Sequence, residues 1–232
     1  MKLLSFIEDF FSVLYPRVCA ACGNSLLRHE EIICAPCLYE LPKTNFHLFD
    51  SNPLDKSFYG KVDVENCAAL YYFKKQGNVQ NLVHQLKYKG RKDVGIFLGR
   101  LLGSELAQAD KFKELDTVIP IPLHPAKQRK RGYNQSEQIT TGIAEVLAIE
   151  MDIHSLKRTV NTQSQTKKNP SERRQNVQGV FKVNNPDQLV NKHVLLVDDV
   201  ITTGATIESA AIELKKIEGL KLSIACVGYA YD

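Results

Sequence analysis

The feature that most constrains the fold of this chain is the passage from Val194 to Thr206. Four consecutive apolar residues, Val194 to Val197, run into the carboxylates Asp198 and Asp199 and then into the small or hydroxyl-bearing series Thr202, Thr203, Gly204, Ala205 and Thr206. An apolar run this short, leading directly into a turn, is the pattern of a strand buried on both faces, as at the centre of a parallel sheet. Beyond it, Ile207, Ala210, Ala211, Leu214 and Ile217 recur on one face of a helix that Gly219 suits as an end, and Leu222 to Val227 supplies another strand.

The same alternation precedes it. Cys67 to Phe73 reads as a strand; Val79, Leu82, Val83 and Leu86, then Val94, Phe97, Leu98, Leu101 and Leu102 after a Gly90 break, read as two helices. Asp116 to Leu123 reads as a buried strand stopped at Pro120 and Pro122, because proline donates no ladder hydrogen bond. A loop with Lys127 to Arg131 follows and closes at Gly132; Asn134 with Glu137 resembles a capping box opening a helix with Ile139, Ile143 and Leu147 inward. Strands alternating with helices predict an α/β domain with a mostly parallel sheet flanked by helices.

With 232 residues the chain has room for one well-buried core and a small appendage. Its 44% hydrophobic and 24% charged content is that of an ordinary folded, soluble protein. Pro42, Asn45, Asp50, Ser51, Asn52 and Pro53 mark an irregular connection. The expected units are residues 1–60 and residues 61–232. Leu3, Phe6, Ile7, Phe10, Phe11 and Leu14 fall at helical spacing and predict a short amphipathic helix. Glu8 and Asp9 interrupt the apolar run that a secretory signal would need, and no stretch reaches 18 apolar residues, so a cytoplasmic protein without a transmembrane segment is expected. The net charge of +4 is too small to establish nucleic-acid binding. It is gathered in three clusters, Lys87 to Lys92, Lys127 to Arg131 and Lys167 to Arg174, which as charge runs most often are solvated faces.

Four of the six cysteines fall between Cys19 and Cys37. Cys19-Ala-Ala-Cys22 and Cys34-Ala-Pro-Cys37 are two CxxC pairs with eleven residues between them, a spacing suited to two knuckles that give four thiolates to one tetrahedral zinc ion. Two disulfides, free buried thiols or a redox CxxC are the competing readings; a cytoplasmic setting disfavours the first, and two pairs so close fit a ribbon better than a redox motif. Such an ion would be structural, since four cysteines leave no open coordination position. Cys67 and Cys226, in strand-like runs, read as small core residues.

In an open α/β sheet, ligands bind beyond the carboxyl ends of the strands, where Asp198 to Thr206 lies. Thr202 to Thr206 let the backbone approach a phosphate while N–H groups and hydroxyls donate to it, with the helix dipole adding partial positive charge. Asp198 and Asp199 suit ribose hydroxyls, so the pattern describes a ribose 5-phosphate. The Gly-Lys-Ser/Thr ending of a Walker loop is absent. The bland alternative is an ordinary strand-to-helix turn with Asp and Thr caps.

The string Val194 to Thr206 closely resembles the signature of type I phosphoribosyltransferases. The order of further motifs resembles the ComF family of competence proteins, itself similar to the glutamine amidophosphoribosyltransferases. These motifs are the paired cysteines, Leu86 to Gly90, Ile119 to Leu123, Arg129 to Gln135, Arg158 to Thr162, Gln165, Arg173, Arg174, Asn176 and Val177. The resemblance implies that Asp198 and Asp199 contact the ribose of phosphoribosyl diphosphate and Thr202, Thr203, Gly204, Ala205 and Thr206 hold its 5-phosphate. Mg²⁺ would accompany the diphosphate, Arg129, Arg131, Lys87 and Lys89 would neutralise it, and residues 161–174 would form a flexible hood. No side-chain nucleophile is implied, and no catalytic residue is assigned.

Two functions follow from the resemblance. One is DNA uptake in natural competence, handling single-stranded DNA with other uptake proteins, in which Tyr88 and Tyr133 stack on bases or simply pack their loops. The other is a metabolic transferase joining ribose 5-phosphate to an amine or nucleobase; a ligand-sensing regulator would share the loop without turnover.

Overall fold

The computed structural model describes residues 17–159 and 179–231. The amphipathic segment Leu3 to Leu14 and the hood at residues 161–174 lie outside the described residues. From the amino end, the cysteine segment contains α1 (Ala35–Glu40), and a connector carries α2 (Pro53–Lys56) to β1 (Asn66–Tyr72). Helices α3 (Asn78–Tyr88) and α4 (Lys92–Leu106) lead to β2 (Thr117–Pro120), and α5 (Pro125–Arg131) and α6 (Gln135–Leu147) to β3 (Glu150–Met151). An antiparallel pair, β4 (Leu156–Arg158) and β5 (Phe181–Val183), precedes β6 (His193–Ile201), α7 (Ala205–Leu214) and β7 (Lys221–Tyr229).

The main sheet has the order β1-β7-β6-β2-β3 and is parallel throughout. Successive residues of β6 face opposite ways. Leu195 and Val197 join the core built with α3, α4 and α6, whereas Val194 and Leu196 join the core built with α7. Both faces are therefore covered, which is why the run Val194 to Val197 is continuously apolar rather than alternating.

Helices α4 and α6 cross at unusually close range. A Cβ on Gly99 would lie 2.0 Å from the Ile139 carbonyl oxygen, and one on Gly142 would lie 2.1 Å from the Ile96 carbonyl oxygen. Only residues without a side chain let these backbones meet, so Leu98, Leu102, Ile139 and Ile143 close the core around a backbone-to-backbone contact.

Two local expectations are corrected. The strand read as Val194 to Val197 runs on to Ile201, because pairing with β7 continues through Asp198 opposite Cys226 to Ile201 opposite Tyr229. The acidic pair is thus strand, and the loop is only Thr202 to Gly204 before α7 begins at Ala205. The basic stretch read as loop is helix α5, with Pro125 in its first turn, the His124 ring accepting from the Ala126 N–H at 3.2 Å, and Gly132 ending it at φ +83°.

The cysteine segment is built on local turns. Cys19 N–H donates to the Asn24 carbonyl at 2.8 Å and Gly23 N–H to the Cys19 carbonyl at 2.9 Å, with Gly23 at φ +81°. The Glu30 carboxylate accepts from the N–H groups of Ala35 at 2.6 Å and Leu27 at 2.8 Å, which hold its pKa below the usual range. The connector runs along the outer edge of β1: Tyr72 N–H donates to the Pro42 carbonyl at 2.8 Å, Thr44 N–H to the Leu70 carbonyl at 3.1 Å and the Asn52 amide to the Cys67 carbonyl at 2.9 Å. A sheet edge otherwise open to stray pairing is covered in this way. Among the described residues no helix is long and apolar enough to cross a membrane.

Candidate functional site

From β2 the chain passes through α6 outward to β3; from β6 it passes through α7 in the opposite direction to β7. Loops on neighbouring strands that leave in opposite directions open a crevice between them, and β2 and β6 are such neighbours. The proline stop at the end of β2 shapes it: after Pro120, Ile121 N–H makes one last bond, 2.8 Å to the Val197 carbonyl. Beyond that point β6 keeps only its β7 partner, so Asp198 and Asp199 sit where the other side of the strand is free of a ladder.

Asp198 Oδ1 accepts from Ser136 Oγ at 2.9 Å and from the Asp199 N–H at 2.8 Å. Burial, and then the Asp199 carboxylate beside it, push Asp198 up to about 7, against the pull of these donors and Lys87. Asp199 is buried and its Oδ1 meets Lys87 Nζ at 2.8 Å. Lys87 stands on the last turn of α3, so this ion pair ties that helix to the strand end.

Thr202 and Thr203 are exposed, Gly204 is buried at φ +74° against the Phe58 ring, and Ala205 and Thr206 open α7. The positive φ turns the chain sharply into the helix, leaving the first N–H groups of α7 at the strand ends without intrahelical partners. Small side chains, hydroxyls and amide donors therefore follow the two carboxylates directly along the chain.

The cations divide. Arg131 lies half-buried, donating to Gln135 Oε1 at 2.6 Å with its guanidinium 5.6 Å from the Tyr88 ring centroid. Lys127 shares its surroundings: burial first, then Arg158 and Arg131, pull its pKa down. Arg158, stacked 5.3 Å from the Phe181 ring centroid, feels the Asp198 carboxylate, although burial, the larger effect, lowers its pKa. Arg129 and Lys89 instead lie exposed. Lys87 and Arg158 thus face the acidic pair, with Lys127 next to Arg158 and Arg131 next to Lys127. Ser136 carried no signal in the sequence beyond its place in the first turn of a helix.

Tyr133 is not available to stack on a base. It is buried, and its hydroxyl donates to the Leu86 carbonyl, joining the end of α3 to the start of α6. Tyr88 is 64% exposed, framed by Arg131 and by the His84 ring at 4.9 Å. The Asn134 cap bonds the Ser136 N–H at 3.2 Å, and its amide donates to the Ile121 carbonyl at 2.9 Å, fixing the start of α6 to the turn after β2.

In the cysteine segment, the Sγ atoms of Cys19, Cys22, Cys34 and Cys37 all lie within 4.8 Å of one another. Four sulfurs about 2.3 Å from one centre form a tetrahedron with edges of about 3.8 Å, and Cys22 Sγ to Cys34 Sγ is 3.8 Å. None is disulfide-bonded. Burial opposes ionisation of Cys19, yet the N–H groups of Cys22, Cys34 and Ala21 hold its thiol down at about 7. The cluster can hold a metal ion such as zinc.

Residues 130–230 match the phosphoribosyl transferase domain family. The DNA utilization protein YhgH of Escherichia coli O157:H7 is 28% identical over 215 residues, which cover 90% of this chain and 89% of that protein. Competence protein F of Haemophilus influenzae is 30% identical over 140 residues, 59% of this chain and 61% of that protein. Among solved structures, a glutamine phosphoribosylpyrophosphate amidotransferase from B. subtilis, complexed with ADP and GMP, is 19% identical with a TM-score of 0.40, covering 61% of this chain and 30% of that one. The matched domain, together with relatives similar along most of the chain, supports a ComF-like family built on a phosphoribosyl transferase domain.

Proposed function

We propose that the protein binds phosphoribosyl diphosphate with Mg²⁺ in the crevice between β2 and β6 and that it serves the handling of single-stranded DNA, in the cytoplasm and with other uptake proteins. The observation that carries the ligand reading is the adjacency of two carboxylates, one paired to Lys87 and one hydrogen-bonded to Ser136, to the small-residue turn Thr202 to Gly204. In this reading Asp198 and Asp199 accept from the ribose hydroxyls, and Thr202, Thr203, Gly204, Ala205 and Thr206 cradle the 5-phosphate with hydroxyls and amides. Lys87, Lys127, Arg131 and Arg158 face the diphosphate, with Arg129 at the rim. Mg²⁺ travels with the diphosphate and screens its charge. Should transfer occur, the chain positions the sugar and stabilises charge at an oxocarbenium-like centre, with no covalent nucleophile.

Calorimetric titration of the purified chain with phosphoribosyl diphosphate and Mg²⁺ is expected to show saturable one-to-one binding, with ribose 5-phosphate and diphosphate each binding more weakly. Absence of binding by any of the three would overturn the ligand assignment.

The DNA reading draws on the printed names of the relatives, DNA utilization protein and competence protein, and on the basic surface of Lys87, Lys89, Lys127, Arg129, Lys130 and Arg131 beside exposed Tyr88. Binding of a single-stranded oligonucleotide that weakens steeply with salt supports it. Turnover of phosphoribosyl diphosphate with an amine or nucleobase would favour the alternative, a metabolic transferase.

Residues 1–60, in this reading, form a unit stabilised by structural Zn²⁺ on Cys19, Cys22, Cys34 and Cys37, and residues 61–232 form the ligand-binding unit. Metal analysis is expected to give one zinc per chain, retained through gel filtration and lost in Cys22→Ser. A wild-type chain that purifies folded and metal-free under non-chelating conditions would sink the zinc assignment.

A further inference from the structure

The four-cysteine cluster and the acidic pair touch opposite ends of one helix. In the first turns of α3, Asn81 Nδ2 donates to the Ala21 carbonyl at 2.7 Å, inside the turn between Cys19 and Cys22, and Asn78 Nδ2 lies 3.9 Å from Cys37 Sγ. In its last turn, Lys87 Nζ holds Asp199 Oδ1 at 2.8 Å. Six residues of helix separate Asn81 from Lys87, about 9 Å at 1.5 Å per residue. Val79, Leu82, Val83 and Leu86 are buried along it, and the Leu86 carbonyl accepts from Tyr133. A helix packed so continuously shifts as one body rather than bending, because close-packed interiors are not continuously deformable.

We propose that α3 is a strut through which the metal state of the cysteine cluster regulates the sugar-diphosphate site. This rests on the zinc and phosphoribosyl diphosphate readings above. The turn that presents the Ala21 carbonyl keeps its shape while Cys19 and Cys22 share one ion with Cys34 and Cys37. With the ion gone, four sulfurs within 4.8 Å have no common cation, the turn relaxes, and Asn81 loses the acceptor that sets α3. Lys87 then leaves Asp199, two adjacent carboxylates face the crevice without that cation, and the diphosphate loses a neighbouring positive charge. Ligand affinity falls on metal loss. Linkage makes the effect reciprocal, so bound phosphoribosyl diphosphate raises the zinc affinity by the same factor.

The test uses the full zinc-loaded chain, with phosphoribosyl diphosphate and Mg²⁺ as ligand, and compares wild type with Asn81→Ala, Lys87→Met and the double variant. Zinc content is measured first, ligand affinity by calorimetry second, and zinc affinity by equilibrium competition with a chelator, with and without ligand, third. Asn81→Ala is expected to keep one zinc, bind the ligand about fivefold more weakly, and lose the ligand-dependent gain in zinc affinity that wild type shows. In the Lys87→Met background Asn81→Ala is expected to add no further loss, because both act through one contact. Unchanged ligand affinity in zinc-loaded Asn81→Ala, full additivity of the two substitutions, or identical wild-type zinc affinities with and without ligand each overturn the strut. A wild type without zinc or without ligand binding fails at the first or second measurement, overturning the parent reading and the strut with it.

Discussion

A chain carrying Asp198→Asn and Asp199→Ala together is expected to stay folded and to bind phosphoribosyl diphosphate about a hundredfold more weakly or worse, since each charged hydrogen bond contributes about 1.5–3 kcal/mol and about 1.4 kcal/mol is tenfold. The fold survives for local reasons. Asn at 198 keeps an oxygen to accept from Ser136 Oγ and the residue 199 N–H, and loss of the Asp199 carboxylate frees a Lys87 side chain that is already 23% exposed and can turn to water. Calorimetry on the folded double variant checks it; unchanged affinity would remove the ribose contact from these residues.

The same pair makes a statement about pH. Asp198 is held up at about 7, by burial and then by Asp199, whereas in the unfolded chain it ionises at an ordinary carboxylate pKa. Between those values the folded state binds the extra proton, so this group favours the fold at low pH and loses that contribution as pH rises through the folded pKa. Asp198→Asn removes the charge. At pH 8 the single variant is expected to be more stable than wild type by roughly 1–3 kcal/mol, allowing for partial solvent access at this position. Urea midpoints at pH 5 and pH 8 should therefore converge in the variant. A carboxylate kept in place at a cost to the fold is what a binding site under functional demand requires.

Gly99→Ala and Gly142→Ala are each expected to destabilise the protein by about 3 kcal/mol or more, at the upper end of overpacking costs. The added Cβ would meet backbone rather than flexible side chains: Ile139 oxygen at 2.0 Å for Gly99, and Ile96 oxygen at 2.1 Å with Arg100 nitrogen at 2.7 Å for Gly142. A side chain could rotate aside, but a helix backbone cannot without moving α4 away from α6 and opening the core around Leu98, Leu102, Ile139 and Ile143. Gly103→Ala, whose nearest neighbour is the Val146 Cβ at 3.0 Å, serves as a milder comparison. Denaturant unfolding at constant m-value measures all three; a loss below about 1 kcal/mol in Gly99→Ala would mean that the two helices are not locked at this crossing.

The two helices α4 and α6 were readable from apolar spacing, but the closeness of their crossing was not. Gly95, Gly99, Gly103 and Gly142 look in sequence like mild helix breakers, and their use appears only when the facing backbone is known. The basic stretch Lys127 to Arg131 read as loop because charge hid a proline-started, glycine-ended helix. Tyr133 and Tyr88, equal in sequence as aromatics within basic clusters, differ in burial, one bonded inside to the Leu86 carbonyl and one exposed.

What the sequence determined by itself is what depends on neighbours in the chain. The two-sided apolar run of β6, the glycine that turns Thr202 to Gly204 into a helix, the proline stop of β2 and the paired CxxC knuckles are local consequences of side-chain volume, allowed φ and spacing. Tertiary structure alone decided which charges meet. Lys87 reaches Asp199 across 112 positions of chain and Ser136 reaches Asp198 across 62, because parallel strand order brings the ends of α3, α6 and β6 to one edge of the sheet. Coulomb and hydrogen-bond energies fall off over a few ångströms of space, and no local pattern encodes that distance.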